Sequence, residues 1–134
     1  IRSPNSTRPW QHVFDLINGY LILCFKCYGN NRYNGSWNFG PAKKNSITVL
    51  KMIQILKKIL KTDKNINIKQ SKKIKETVNL YLNAKKSQKY LKWKPKFNIY
   101  NSLKFTADWY KNYINKKDIK KVSLEHFRSF FLSK

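Results

Sequence analysis

The sequence predicts an α/β fold with few, short strands and several helices. Three observations lead there. Short stretches of extended character alternate with helical windows. The apolar spacing in those windows follows i, i+3, i+4. The strands are also too few and too short to make a complete parallel sheet, which needs crossover partners. The chain therefore reads as part of a larger domain, and its start at Ile1 without an initiator Met fits that expectation.

The elements follow in order. Residues 10–13 (Trp10-Gln11-His12-Val13) read as the end of a strand. Asp15 is a fair N-cap and Gly29 a fair stop for a helix over 16–28. That helix is apolar nearly all round, which predicts burial. Residues 29–35 are a polar loop. Residues 36–39 predict a short strand ended by Gly40-Pro41. Ser46 is placed to cap the next helix, whose apolar positions are Val49, Met52, Ile53, Leu56, Ile59 and Leu60. Asn65-Ile66-Asn67-Ile68 alternates as a strand does, and 78–82 reads as a second extended piece. A short helix over 85–91 ends before Trp93-Lys94-Pro95. Asn98 caps a long amphipathic helix with Ile99, Leu103, Thr106, Tyr110 and Tyr113 on one side and Trp109 beside them. Residues 116–118 link it to a last helix over 124–132, capped by Ser123.

Composition bounds the function. At 134 residues the chain makes one domain at most, and 41% hydrophobic with 15% aromatic residues suffices for a core. No apolar run approaches the roughly 20 residues of a membrane helix, and no signal segment precedes a cleavage site. Four of the 29 basic residues are Arg (2, 8, 32 and 128), leaving 25 Lys, and the net charge is +23. Such charge points to a polyanion. The Lys are spread over most of the chain after Lys43, however, and they accompany abundant Asn and Ile. Lys, Asn and Ile share A/T-rich codons, so base composition can supply the excess without selection for a polyanion, although the charge still attracts anionic ligands. Cys24 and Cys27 form a lone C-x-x-C inside a helical window. This is weak evidence for zinc and favours buried thiols, so no metal is expected. Trp10, Trp93, Trp109 and Tyr110 read as core. His12 and His126 have no nucleophile or carboxylate near them in sequence and receive no catalytic role.

Several motifs then carry a resemblance. Arg8-Pro9-Trp10-Gln11-His12-Val13, Trp37-Asn38-Phe39-Gly40-Pro41 and Leu91-Lys92-Trp93-Lys94-Pro95 appear in that order. Thr106-Ala107-Asp108-Trp109-Tyr110-Lys111 and Ser123-Leu124-Glu125-His126-Phe127 follow. The set resembles the last third of the CDP-glucose 4,6-dehydratase family, within the extended short-chain dehydrogenase/reductase superfamily. The form Arg-Pro-Trp-Gln-His points to that branch, since related enzymes tend to carry Arg-Asp-Trp or Arg-Asp-Tyr. Three positions depart from the family: Asn83 stands for Asp, Lys85 for Ser, and Lys92 for Gly.

The resemblance implies the C-terminal sugar-nucleotide-binding region over 1–134, with the last strand and helix of a Rossmann-type domain at 1–40 and the Rossmann core missing. The complete enzyme is a cytoplasmic lyase of deoxysugar and polysaccharide biosynthesis. With tightly held NAD it converts CDP-glucose to CDP-4-keto-6-deoxyglucose and water, and it commonly forms a homodimer. Its glycine-rich turn and Thr-Asp-Glu group are not in these residues, and the resemblance places its catalytic Tyr-x-x-x-Lys pair in the missing part. This chain is thus expected to hold no catalytic residue, to bind no cofactor alone and to be inactive alone.

The resemblance assigns substrate-binding roles to Arg8, Asn38, Glu76 and Lys73. Arg8 would meet the diphosphate or ribose, which suits a fixed fork of donors. Asn38, two residues before Gly40, would lie beside the nucleotide. Glu76 would accept from ribose hydroxyls, and Lys73 falls where some relatives place an Arg. An apolar face on the first helix would receive the missing domain. The alternatives are another extended epimerase or dehydratase acting on UDP-, GDP- or dTDP-sugars, and a small basic nucleic-acid-binding module.

Overall fold

A computed structural model describes residues 1–69 and 77–132. It is a mixed structure of five α-helices and a small sheet among the described residues. The elements are β1 (Thr7–Pro9), α1 (Val13–Cys27), β2 (Ser46–Thr48), α2 (Val49–Leu60), α3 (Lys85–Tyr90), α4 (Ile99–Ile114) and α5 (Ile119–Leu132), with 3₁₀ turns at Asn31–Tyr33 and Lys43–Asn45.

The sheet is where expectation and structure differ most. β1 pairs antiparallel with β2, placing Thr7 opposite Thr48 and Pro9 opposite Ser46. Thr7 also bridges Asn79 in parallel sense, through Thr7 N to Val78 O at 2.7 Å and Leu80 N to Thr7 O at 3.2 Å. The predicted strand at 10–13 thus lies three residues early, at 7–9, and Val13 already belongs to α1. Residues 36–39 and 65–68 form no strand. Their side-chain pattern is that of a strand, but a strand also needs a partner for its backbone. The backbone at Asn38 accepts from the Ser87 hydroxyl at 2.5 Å instead. Ser46, predicted as a helix cap, is the first residue of β2, and Thr48 caps α2 by accepting from Lys51 N at 3.2 Å.

Helix α1 starts earlier than predicted because His12, not Asp15, is its cap: the ring Nδ1 accepts from Phe14 N at 3.2 Å. Gly29, at φ +68°, is the left-handed residue that ends the helix. Asp15 turns inward, 1% exposed, and takes Lys96 N on Oδ1 at 2.6 Å and Phe97 N on Oδ2 at 3.4 Å. Its carbonyl receives the Trp93 indole N–H at 3.1 Å. One residue thereby ties α1 to the segment entering α4.

Two apolar clusters meet at that tie. Phe39, Ala84, Leu91 and Trp93 form the first, with Leu16, Ile22 and Leu23 of α1 against them. The second is aromatic: His12, Phe14, Phe97, Phe105, Phe127 and Phe130 meet edge-on or tilted. α4, capped by Asn98 as predicted, lies against both α2 and α5. Its buried residues are Ser102, Leu103 and Ala107; Thr106, Tyr110 and Tyr113 of the predicted apolar side are exposed. α5 begins five residues before the predicted start, because the Asp118 carboxylate accepts from Lys120 N and Lys121 N and caps it there.

The predicted burial of the first helix is corrected. Only Asp15 and Gly19 of α1 are buried, while Val13, Tyr20, Leu21 and Phe25 are each more than half exposed. Cys24 is exposed and Cys27 half-buried, so the buried-thiol reading fails for the first; Cys27 Sγ donates to Tyr33 O. The core reading holds fully for Trp93 and fails for Tyr110, which is exposed. Trp10 and Trp109 are half-buried. All four indole N–H groups are bonded within the protein, Trp10 to Ile47 O and Trp109 to Ser123 Oγ among them. Among the described residues no helix is long and apolar enough to cross a membrane.

Candidate functional site

Arg8 sits in the middle of β1, opposite Ile47, between the backbone of Thr7 and the fixed ring of Pro9. Its guanidinium Nη1 donates to Thr7 O at 2.9 Å and to Thr77 O at 3.0 Å. The side chain therefore joins the sheet to the segment at 77–80 that bridges Thr7. Lys73 and Glu76 lie outside the described residues; Thr77 is the residue that follows Glu76 in sequence.

Asn38 stands elsewhere, on the segment held against α3. Its side chain is exposed and its carbonyl takes the Ser87 hydroxyl. The structure thus places Arg8 and Asn38 on different supports. Gly40 also has a different use from the one expected. A Cβ there would come within 2.6 Å of Leu82 Cβ, so the missing side chain admits Leu82 and not a ligand. Gly19 likewise admits the Phe39 ring.

Between these supports lies a cleft of about 390 Å³, bounded by Pro41, Ala42, Lys43 and Ser46 on one side and by 81–85 and Gln88 on the other. Ser46 is the residue opposite Pro9, and Arg8 is not among the residues that bound the cleft. Lys43 Nζ lies 5.7 Å from the Tyr81 ring centroid. Asn83 borders the cleft too, and its Oδ1 accepts from Lys85 N at 3.0 Å. That bond holds the turn that enters α3, whose N-cap residue is Ala84. Lys92 holds φ +57°, a left-handed conformation that suits Gly better than a residue with a Cβ.

Sequence reasoning missed two polar pairings. Ser87, fully buried, fixes the 36–41 segment on α3, and nothing local in Lys-Ser-Gln signals it. His126 Nε2 and Asp108 Oδ2 are 2.9 Å apart, so His126 does have a carboxylate partner, 18 residues away in sequence and on the neighbouring helix. Asp108 also takes the Asn112 amide at 2.9 Å. The pair edges a groove of about 980 Å³ between α2, α4 and α5 whose walls include Leu56, Ile59, Phe105 and Ile114. His12, buried and within 5.9 Å of the Phe105 ring, is pushed down to about 4, by burial first and by the nearby His126 second.

The residues described do not fit a dinucleotide cofactor. The sheet is a short antiparallel pair, and the four glycines stand at 19, 29, 35 and 40, without the close spacing that lets backbone approach a pyrophosphate.

No protein-family model matches the chain. The CDP-glucose 4,6-dehydratase of Salmonella typhimurium is similar to it, 28% identical over 120 residues. The match takes in 89% of this chain and 33% of that protein. The chain thus spans about a third of the length of the curated relative it matches.

Proposed function

We propose that this chain is the C-terminal sugar-nucleotide-binding part of a CDP-glucose 4,6-dehydratase of the extended short-chain dehydrogenase/reductase superfamily. The observation that carries the reading is the similarity to the Salmonella enzyme along 89% of the chain.

In this reading residues 1–40 close a Rossmann-type domain whose remainder, with its bound NAD and its acid, base and hydride-handling residues, lies outside these 134 residues. The chain's own task is to hold substrate. Arg8 meets the diphosphate or ribose, where one charge-assisted contact contributes roughly 1.5–3 kcal/mol. Asn38 lies beside the nucleotide, Glu76 at the ribose hydroxyls, and Lys73 adds positive charge. The exposed apolar side of α1, with Leu21 and Phe25, is the face the remainder covers.

Calorimetric titration tests this. CDP-glucose is expected to bind more tightly than UDP-, GDP- or dTDP-glucose, and Arg8→Lys to weaken it about tenfold. Equal affinity for all four nucleotides, or an Arg8→Lys variant that binds as well, would overturn the assignment. Formation of the 4-keto product by the 134-residue chain alone is expected to be absent, and its detection would contradict the division of labour.

A further inference from the structure

A second cleft, on the neighbouring stripe of α3, combines ring faces with positive charge. Its walls are Arg32, Tyr33, Trp37, Lys86, Lys89 and Tyr90, around about 380 Å³. Lys86, Lys89 and Tyr90 fall at i, i+3 and i+4, so one helix face presents all three. The opposing wall is fixed from beneath. Asn30 caps the 3₁₀ turn through Arg32 N at 3.0 Å, and the Trp37 indole N–H is bonded to Tyr33 O at 2.8 Å. Tyr33 and Trp37 stack with centroids 6.3 Å apart and planes 30° from parallel. Lys86 Nζ is held over the Trp37 ring, 4.2 Å from its centroid, by a bond to Ser36 O at 2.9 Å. Lys89 Nζ lies 5.2 Å from the Tyr90 centroid.

Three cations and three rings line this space, and none of the lining residues is acidic. We infer that the cleft is a second binding site, separate from the substrate site proposed at Arg8, for a nucleotide phosphate. The base stacks on the half-exposed Tyr90 ring, beside the Trp37 ring that Tyr33 and the Lys86 ammonium already meet, and the phosphate lies among Arg32, Lys86 and Lys89. A cation would be repelled. A bare inorganic anion would leave the rings unused, and an apolar ligand would strand three charges. A nucleotide satisfies both sets, and the volume falls in the range of small-molecule sites. The same chemistry comes as a free mononucleotide or as a unit of a single strand, where aromatic stacking and lysine charge act together.

The test is binding of fluorescein-labelled octathymidylate to the full chain, followed by polarisation, with UMP and inorganic polyphosphate as competitors. Tyr90→Ala, at a half-exposed ring, and Trp37→Leu are each expected to weaken binding about tenfold. The charge control Lys57→Gln/Lys58→Gln, on α2, removes two cations elsewhere and is expected to change it about twofold or less. Polyphosphate should compete equally well against the parent and Tyr90→Ala chains. Full displacement by UMP, with no gain from a longer strand, identifies the free nucleotide as the ligand; affinity rising with strand length identifies the strand. If both aromatic variants bind like the parent, or the α2 control loses as much as they do, diffuse charge explains the binding and the site does not exist.

Discussion

Lys92 shows how one side chain registers a backbone requirement. The turn before Trp93 needs a left-handed residue, and a Cβ in that conformation costs roughly 1–2 kcal/mol. Lys92→Gly removes that strain while freeing the unfolded chain, so the net expectation is a gain of about 1 kcal/mol in urea unfolding. His12 makes the opposite kind of demand. The folded protein needs its Nδ1 as an acceptor, among Phe14, Phe97 and Phe105. Its folded pKa, near 4, is below the unfolded value of 6.5, so the fold prefers the neutral ring. Its contribution is fully present above pH 6.5. As pH falls below that value the unfolded state takes up the proton first, and stability is lost until about pH 4, by on the order of 3 kcal/mol. Asp15 acts with the opposite sign, because burial raises its pKa and the fold gains as it protonates. In His12→Asn, which keeps a capping acceptor, the decline between pH 6.5 and 4 should flatten; an unchanged slope would locate the acid sensitivity elsewhere.

Helices were legible wherever a local signal and the tertiary outcome agreed. Asn98 caps α4 as its position suggests, and the 85–91 window gives α3 nearly to the residue. α1 was misread because its apolar residues exceed what its neighbours cover, and periodicity counts apolar residues without knowing what surrounds them. Strands were the least legible. A three-residue strand carries no usable alternation, and β1 exists because of partners far along the chain. The site divides in the same way. Arg8 is singled out by its motif alone, as an expectation, whereas Ser87 and the Asp108–His126 pair depend on contacts that no local pattern announces. For α1 the distinction is measurable. Phe25→Glu, at an 82% exposed position, should shift urea unfolding by no more than about 0.5 kcal/mol, whereas Trp93→Ala, fully buried, should cost about 3–5 kcal/mol. A large loss in Phe25→Glu would mean that the α1 face is covered in solution.

Across the whole molecule the charge of +23 opposes compaction whatever its origin. Six acidic residues cannot offset 29 basic ones. Raising NaCl from about 0.05 to 0.5 M shortens the screening length severalfold and should raise the melting temperature by a few degrees; a falling temperature would show that attractive pairs outweigh the repulsion. The sheet has a kinetic consequence as well. Trp10 is bonded to a carbonyl 37 residues away and Arg8 to one 69 residues away, while every helix closes locally. Loop closure of that length must be completed before the pairing stabilises anything. In stopped-flow refolding, far-ultraviolet ellipticity should therefore recover before the emission assigned to Trp10 by its difference from Trp10→Phe, with the first strand arriving last although its residues stand near the start of the chain.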